Sequence, residues 1–574
     1  MGIKHCFMWF KNQYPKYMHK MRKNQTVHDV GVNVDNLMID MNGIFHNSAQ
    51  KVYKYGNCKP QKSFMTNIKI PEVNKETELL LFQDVCDTVE NLVKVTDPSK
   101  RVILCVDGPA PISKQNQQRQ RRFRSAKESS GAAAGTFDSN CITPGTQMMD
   151  NLSKYIDWWI RKKVSEDPEW QKLEIIFSNE KVPGEGEHKG LRYIRDNGVR
   201  DESFCINGLD ADLLMLALGT HIPKFYIVRE DMYDPSVEYF CVDVGGIHDK
   251  LAESMRWKSV THKFNPNTVI EDFIFLCFIV GNDFLPHIPS IEIIQGGIEL
   301  IIEICRKVGT SYGHITYKTD DDDIRFSTKA LSVFLGTIGH RERENFEAKL
   351  REKFIRDPLL EECSTRDPKG VWSVNINRYN DMYWKDKFPS DRTEEQICHE
   401  YLEGMQWVLT YYTKDVPDWK WHYAHHYAPP ASILAKHFET YKHRTYNMTV
   451  PSTPFQQLLC VLPPKSANLI PSPLCSLLTD DASPLKKHCP ETFEIDYAGK
   501  KREWEGIVLL PMVDFALMRN CYFGMIPKVS VDDLKRNILG RSFSYDYKPL
   551  SKYTFKSFYG NIENCSVLTT MIDI

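Results

Sequence analysis

The sequence contains no long hydrophobic run and no closely spaced cysteines. Its longest apolar run, from Phe273 to Gly281, is far shorter than the roughly 18 residues that a membrane span requires, so no membrane span is predicted. The 16 cysteines include no Cys-x-x-Cys pair, and the closest two, Cys475 and Cys489, are 14 positions apart. This spacing excludes the common structural zinc sites. Scattered cysteines are typical of a reducing compartment, so we expect a cytoplasmic protein, with the nucleus as the alternative.

Net charge is also almost absent, at −2 over 574 residues. This value excludes a polycation that would bind nucleic acid through its overall charge, and the 11% of aromatic residues excludes a disordered chain. The charge is nevertheless uneven, because residues 1–28 and residues 114–127 each contain six Lys or Arg and no acid. Any binding of nucleic acid is therefore predicted to depend on a local basic patch.

Short apolar segments that lead into acidic residues recur through the first half of the sequence. They cover residues 36–39, 101–106, 173–177 and 203–207. Helical patterns occupy residues 78–94, 147–163, 186–196, 211–219 and 268–280. Buried strands that alternate with helices predict an open α/β sheet. In such sheets, functional residues gather at the ends of the strands.

Seven acids form the candidate catalytic and metal-binding set. They lie at the predicted ends of strands or helices, at Asp40, Asp107, Glu185, Glu187, Asp210, Asp212 and Asp283. So many carboxylates cannot be ionised close together without cations, and hard oxygen ligands favour Mg²⁺ or Mn²⁺. Two such ions can activate a water molecule and stabilise the leaving oxygen of a phosphodiester. The alternative is that each acid is separately a helix N-cap or a turn residue.

A basic helix is predicted between Lys114 and Arg124, one turn after Asp107. Arg side chains grip phosphate with two hydrogen bonds, and Lys adds a point charge, so this run is a candidate phosphate-binding segment. A solvated basic helix face is the alternative. The run Asp320 to Asp323 is predicted to be a solvated loop. The Gly-x-Ser-x-Gly pattern at 309–313 follows a helix instead of a strand, so it is not predicted to be a nucleophile elbow, and Gly309 is predicted to cap the helix.

Longer motifs extend along nearly the whole chain: Met1-Gly-Ile-Lys with Phe7-Met-Trp-Phe, Asp40-Met-Asn-Gly-Ile-Phe-His46, Asp107-Gly-Pro-Ala-Pro with the basic run, Val182-Pro-Gly-Glu-Gly-Glu-His-Lys189, Gly208-Leu-Asp-Ala-Asp212, Val280-Gly-Asn-Asp-Phe-Leu-Pro-His287, Trp419-Lys-Trp421 and Trp504-Glu-Gly-Ile-Val-Leu-Leu-Pro511. In sequence and in order, these motifs resemble those of the XRN family of 5′→3′ exoribonucleases.

The resemblance implies an α/β fold with a PIN/flap-nuclease-like, mixed and mostly parallel sheet flanked by helices. A second conserved region, helix-rich and α+β, would wall the active site. We expect a nuclease domain at residues 1–345 with an insertion at 50–76, a charged helical connector at 346–395, and the second region at 396–574. The chain stops soon after that region, which resembles compact forms encoded by large DNA viruses.

The resemblance also implies roles for individual residues. The seven acids would be ligands of two Mg²⁺ ions, with Mn²⁺ as a substitute. The 5′ monophosphate of single-stranded RNA would be bound by Lys114, Gln118, Arg121 and Arg122. His46 and Trp421 would stack on bases, with Trp419 as the alternative to Trp421. No protein partner can be predicted from the sequence.

The implied activity is processive 5′→3′ hydrolysis of 5′-monophosphorylated RNA to mononucleotides, in RNA degradation. Two alternatives belong to other functional classes. A flap-type endonuclease shares the acid pattern, but the basic run and the aromatic second region argue against it. An inactive RNA-binding module is the other alternative, and the complete set of seven acids argues against that one.

Overall fold

The fold was analysed in a computed structural model. It describes residues 5–59, 71–128, 136–197, 201–231, 234, 236–321, 323–352, 356–447 and 449–573. Several predicted segments lie partly outside the described residues: the first four residues of the opening motif, residues 60–70 of the predicted insertion, and Asp322. The same holds for residues 129–135, which belong to a Gly- and Ala-rich segment, 128–136, whose composition predicts a flexible loop.

The β-strands are short and are distributed along the whole chain. They are β1 Met18–Met21, β2 Asn36–Asp40, β3 Arg101–Cys105, β4 Glu174–Ser178, β5 Phe204–Asn207, β6 Phe225–Glu230, β7 Tyr239–Asp243, β8 Thr316–Lys318, β9 Ile324–Phe326, β10 Ser364–Arg366, β11 Trp372–Val374, β12 Glu494–Asp496, β13 Ile507–Leu509, β14 Ser542–Tyr547, β15 Tyr553–Phe555, β16 Ile562–Cys565 and β17 Val567–Ile572.

The α-helices pack on both faces of the main sheet and build most of the second half of the chain. They are α1 Cys6–Gln13, α2 Met41–Tyr53, α3 Lys75–Thr96, α4 Ile112–Glu128, α5 Gln147–Glu166, α6 Gly186–Asn197, α7 Leu213–Leu218, α8 Val244–Ser254, α9 Pro266–Leu276, α10 Gly297–Tyr312, α11 Thr328–Leu350, α12 Pro358–Glu362, α13 Ile376–Lys387, α14 Glu394–Thr413, α15 Ala431–Leu434, α16 Pro454–Val461, α17 Ser472–Thr479, α18 Phe515–Met525 and α19 Val531–Leu534.

One nine-stranded sheet organises the described residues, in the order β1-β7-β6-β5-β2-β3-β4-β14-β17. The five central strands, from β6 to β4, are parallel. The strands outside them pair antiparallel. The predicted mixed, mostly parallel sheet flanked by helices is therefore confirmed. The four strands predicted from apolar runs are β2 to β5. They lie next to one another in the centre of the sheet, and β6 lies beside β5.

The side chains of the central strands point alternately to two hydrophobic cores, as the two-residue period of a strand requires. Met38 and Ile103 belong to the core that also contains α9 and α14. Leu37 and Leu104 belong to the core on the opposite face, with α2, α3 and α5. Helix α14 thereby shares the core on one face of the sheet, although it belongs to the second half of the chain.

The end of the chain returns to the sheet, which the sequence did not predict. Strand β14 pairs antiparallel with β4, and β17 pairs with β14. The domain limits at 345 and 395 stay a prediction. Helix α11 runs through position 345. Within the described residues, no helix combines the length and the hydrophobicity needed to cross a membrane.

Gly309 is not a helix cap, so that prediction is wrong. Helix α10 continues to Tyr312 and ends at Gly313, whose φ of 77° lies in the left-handed region. At Gly309 a Cβ atom would lie 2.3 Å from the indole nitrogen of Trp257. A glycine is therefore required there for close packing, and the conformational requirement belongs to Gly313.

Candidate active site

Three of the seven acids meet because of the register of the central strands. Asp40 ends β2 and pairs with Cys105 of β3, two residues before Asp107. Its neighbour Ile39 pairs with Asn207 of β5, which precedes Asp210. Parallel strands bring their carboxyl ends to one edge of the sheet, so the acids that follow β2, β3 and β5 are placed side by side.

The first turn of α6 completes this group. The backbone N–H of Gly186 donates to Oδ1 of Asp107 at 2.7 Å. A Cβ atom on Gly186 would lie 2.7 Å from Oδ1 of Asp40 and 3.0 Å from the carbonyl oxygen of Cys105. Only glycine allows this approach, and the approach positions Glu187 beside the two aspartates.

Asp40, Asp107 and Glu187 fit a single divalent cation. One carboxylate oxygen from each lies within 4.8 Å of the others. Mg²⁺ binds oxygen ligands at about 2.0–2.1 Å, so two ligand atoms of one ion are separated by roughly 3–4 Å. The donor set is entirely carboxylate oxygen, which is the chemistry that Mg²⁺ and Mn²⁺ prefer.

The remaining acids surround Lys114. The Lys114 ammonium contacts Oε2 of Glu185, and it donates to Oδ2 of Asp283 at 2.7 Å. Asp212 also lies close to Lys114, and its charge contributes to the raised pKa of Lys114. Lys114 was predicted to bind the 5′ phosphate, and in the structure its Nζ lies among the acids.

Burial and mutual repulsion raise the pKa values of Asp40 and Glu187 at the cation site. Burial raises the pKa of Asp40 well above its ordinary value, and the charges of Asp107 and Asp210 add to the shift. The pKa of Glu187 is raised by burial, and then by the charges of Glu185 and Asp40. The cluster therefore lacks positive charge, and a divalent cation would relieve the repulsion.

The group around Lys114 is partly neutralised. Burial raises the pKa of Glu185 to about 7, although the Lys114 ammonium opposes the shift. Burial and the charges of Asp283 and Asp210 raise the pKa of Asp212 to about 6. For Asp283, burial acts in the same direction, but Lys114 outweighs it and lowers the pKa. One ammonium thus compensates part of a cluster that contains several carboxylates.

Helix α4 has two faces with different partners. The pocket face, at i, i+4 and i+8, consists of Lys114, Gln118 and Arg122. The docking face donates hydrogen bonds to backbone carbonyls of the second region, through Arg119, Arg124 and Lys127. Three of the six cations in residues 114–127 are therefore structural.

The pocket face contains buried polar atoms whose hydrogen-bonding capacity is unused. Among the described residues, neither Oε1 of Gln118 nor Nη1 of Arg122 has a hydrogen-bond partner. Burial lowers the pKa of Arg122 to about 9, and the charge of Arg121 adds to the shift. Buried polar groups normally find partners, so these atoms indicate a site for an anion. Arg121 is exposed.

The sequence as a whole matches two family models. Residues 1–231 match "XRN 5'-3' exonuclease N-terminus", and residues 263–367 and 362–564 match "Xrn1 helical domain". The chain belongs to the XRN family of 5′-3′ exonucleases.

Curated XRN proteins are similar to the chain over nearly its full length. It is 27% identical to 5'-3' exoribonuclease 1 of Saccharomyces cerevisiae, with 98% of this chain and 46% of that protein covered. It is 27% identical to 5'-3' exoribonuclease 2 homolog of Drosophila melanogaster, covering 97% and 75%, and 29% identical to the human 5'-3' exoribonuclease 1, covering 90% and 33%. The chain thus spans about half the length of the yeast protein and a third of the human one.

A solved structure also has a weak similarity. The catalytic core of Rad2 in complex with DNA substrate covers 53% of this chain and 70% of its own, with a TM-score of 0.30 and 15% identity. A similarity at this level supports no argument about the XRN chain.

Of the two predicted stacking residues, His46 lies beside the phosphate-binding candidates. It is half-buried on α2, and burial, together with the charges of Arg121 and Arg122, lowers its pKa to about 3. The ring is therefore neutral at physiological pH. A neutral, flat ring next to an anion pocket is suited to contact a base, and that role stays a prediction for this XRN chain.

Trp421 is packed inside the second region. It is 8% exposed, and its ring stacks on Trp407 with centroids 5.1 Å apart. Trp419 is more exposed and lines a separate depression of about 190 Å³ with Pro183 and Arg192. Which tryptophan contacts a base stays a prediction, and the structure places only Trp419 in a surface depression.

A cleft between α4 and the second region reaches one of the seven acids, Asp283. It has a volume of about 470 Å³, and its lining includes Arg121, Asp283, Phe284, His422 and Trp504. The second region therefore forms one wall of the site. A larger cavity of about 1350 Å³ between α3 and α5 contains none of the predicted site residues.

Sequence reasoning missed side chains that hold the acids in place. Asn42 accepts the backbone N–H of Asp107 at 2.9 Å. Tyr411 donates to Glu185 at 2.7 Å, and Tyr412 donates to Asp212 at 3.0 Å. The tyrosines lie in an aromatic-rich segment, and nothing in the sequence distinguishes them from core aromatics.

Proposed function

We propose that this protein is a divalent-metal-dependent 5′→3′ exoribonuclease that hydrolyses single-stranded RNA with a 5′ monophosphate to mononucleotides. One observation carries the proposal. A single helix face runs from Lys114, at the acids, to Gln118 and Arg122, whose buried polar atoms lack partners among the described residues. The three residues span about 12 Å along the helix axis. This distance suits a site that binds the 5′ phosphate of the RNA at one end of the helix face and hydrolyses the next phosphodiester at the other end, beside the acids.

We assign the seven acids to two Mg²⁺ ions, for which Mn²⁺ would substitute. Asp40, Asp107 and Glu187 would hold one ion, and the other four acids would complete the set. Bound ions would activate a water molecule and stabilise the leaving oxygen. Arg121, Arg122 and Gln118 would bind the 5′ phosphate through charge-assisted hydrogen bonds, and His46 and Trp421 would hold the terminal bases.

The polarity of digestion follows from the proposed pocket. Gln118 and Arg122 are buried, and we expect a site built on them to accept a monophosphate and to exclude a cap or a triphosphate. A free 5′ end would have to pass the cleft before the scissile bond reaches the acids. Each cleavage exposes a new 5′ monophosphate if water attacks the phosphorus and the bond to O3′ of the departing nucleotide breaks, so that the phosphate stays on the shortened chain. Successive cleavages without release would then be favoured.

The test compares RNA of one sequence with different ends. Linear 5′-monophosphate RNA should be degraded to mononucleotides in Mg²⁺ and left intact in EDTA. Capped, triphosphorylated and circular RNA should survive under the same conditions. Fragments from the circle, or products cut at a junction, would refute the exonuclease and support a flap-type endonuclease. Binding without any cleavage would support the inactive RNA-binding module.

A further inference from the structure

Two consecutive tyrosines of the second region reach two different acids of the nuclease site. The hydroxyl of Tyr411 donates to Oε1 of Glu185 at 2.7 Å, and that of Tyr412 donates to Oδ2 of Asp212 at 3.0 Å. All four side chains are buried. Consecutive residues of a helix point about 100° apart, so one turn of α14 holds two carboxylates that lie more than 20 positions apart in the sequence.

Stacked aromatic rings fix the orientation of both phenols. The ring of His188 lies on that of Tyr411, with centroids 3.8 Å apart and planes 13° apart. Phe284 meets Tyr411 edge-on at 5.4 Å, and Phe278 meets Tyr412 edge-on at 5.2 Å. With the rings held in this way, each hydroxyl has little freedom to follow a carboxylate that rotates.

Each phenol occupies one oxygen of its carboxylate. In Glu185, Tyr411 holds Oε1 while Oε2 faces the Lys114 ammonium. In Asp212, Tyr412 holds Oδ2, which determines the direction of Oδ1. A hydrogen bond to one carboxylate oxygen fixes the rotamer and directs the other oxygen toward a cation, and at Glu185 a divalent cation would take the place of the Lys114 ammonium. Such outer contacts commonly change the affinity of a metal site by about 10- to 100-fold.

We propose that Tyr411 and Tyr412 are positioning residues for the metal site, which fix the carboxylates of Glu185 and Asp212 for a divalent cation. This inference rests on the proposed metal-dependent function. It also gives the second region a role beyond forming the wall of the cleft, because α14 sets the geometry of acids that come from the nuclease sheet.

The test measures Mn²⁺ binding to the full chain without RNA. Binding is monitored through the electron paramagnetic resonance signal of free Mn²⁺. Tyr411→Phe and Tyr412→Phe each remove one hydroxyl and keep the packed ring. We expect each variant to bind Mn²⁺ about 10-fold more weakly. The Mg²⁺ concentration for half-maximal hydrolysis should rise in parallel, while the KM for 5′-monophosphate RNA at saturating Mg²⁺ stays unchanged.

Tyr383→Phe is the matched control. Tyr383 is a buried tyrosine of α13 whose hydroxyl donates to the carbonyl of Ala428 at 3.1 Å. Its loss should lower stability as much as the other substitutions, without a change in Mn²⁺ affinity. Wild-type Mn²⁺ affinity in both site variants, or an equal loss in Tyr383→Phe, would overturn the inference.

The experiment also separates this inference from the proposed function. A wild-type chain that binds Mn²⁺ and does not hydrolyse RNA would refute the exoribonuclease, and the positioning role would still be decided by the Mn²⁺ affinities of the variants. A wild-type chain that binds no Mn²⁺ would overturn the positioning role itself.

Discussion

The pocket face and the docking face of α4 contain similar residues and differ in what they meet. The docking face meets backbone carbonyls of the second region, which accept hydrogen bonds from Arg119, Arg124 and Lys127 and leave Nε of Arg119 without a partner among the described residues. The pocket face meets carboxylates at one end and has buried donors and acceptors without partners at the other. The composition of a basic helix therefore does not reveal its function. The distinction depends on which donors the rest of the fold leaves for a ligand.

Removal of Lys114 should have the largest effect and should separate the two faces most clearly. In Lys114→Ala, Glu185 and Asp283 lose their common cation. Loss of one partner of a buried pair costs about 3–5 kcal/mol. We expect a much lower unfolding midpoint in EDTA and a partial recovery in Mg²⁺ that exceeds the gain of the wild type. An equal Mg²⁺ response in both proteins would show that Lys114 does not share its acids with a cation.

The pH dependence should distinguish the pocket face next, because only this face borders titrating acids. The pKa values of Glu185 and Asp212, about 7 and about 6, lie above their ordinary values of 4.5 and 3.8. The metal-free fold therefore holds extra protons in this window, and its stability falls as the pH rises through it. The loss from Glu185 is about 3 kcal/mol at 1.36 kcal/mol per unit. Thermal melts in EDTA of the wild type and of Glu185→Gln at about pH 5 and about pH 8 test this sign, because buried histidines such as His46, which act in the opposite direction, are present in both proteins. A wild type that loses no more stability than Glu185→Gln between the two pH values would contradict it.

Arg122→Ala should weaken recognition of the 5′ end. A charge-assisted hydrogen bond contributes about 1.5–3 kcal/mol, so kcat/KM on 5′-monophosphate RNA should fall roughly 10- to 150-fold. The loss on 5′-hydroxyl RNA should be small. Arg122→Lys retains the charge without the forked donors and should recover only part of the loss. Equal losses on both RNAs would mean that Arg122 contacts the backbone without selecting the end.

Arg124→Ala should have the smallest effect and should leave end selection intact. Arg124 donates to the carbonyls of Trp504 at 2.8 Å and Gly506 at 2.5 Å. We expect a loss of about 1 kcal/mol in unfolding experiments. The ratio of rates on 5′-monophosphate and 5′-hydroxyl RNA should stay that of the wild type. A fall in this ratio would show that the docking face also binds the phosphate.

The centre of the fold could be predicted because buried parallel strands leave continuous apolar runs. Strands β2 to β5 begin and end within a residue or two of the predicted segments. Strands β14 and β17 could not be predicted in the same way. They join the sheet through the pairing of β14 with β4, and no local pattern identifies so distant a partner. The error at Gly309 is similar, because local spacing does not reveal the indole ring of Trp257 beside it.

The same distinction between local and long-range signals applies to the residues of the candidate active site. Asp40, Asp107 and Glu187 could be predicted because strand ends and the glycine-flanked motif are local signals, and the structure brings them together. The partners of the acids could not be predicted. Tyr411 lies 226 positions from Glu185, and only the tertiary fold joins them. The sequence predicts which charged residues belong to the site, and the fold determines which of them have hydrogen-bond or ion-pair partners.

The return of the chain end to the sheet has a consequence for synthesis on the ribosome. Ser544 of β14 donates to Glu174 of β4 from 370 positions further along the chain. At about 5–20 residues per second, β4 emerges roughly 20–70 s before the strand that covers it. Throughout that interval β4 is an open edge, which is a template for pairing with other nascent chains. Newly made copies on one messenger are therefore most exposed to aggregation before translation ends, and a chaperone that shields this edge should raise the yield of folded protein.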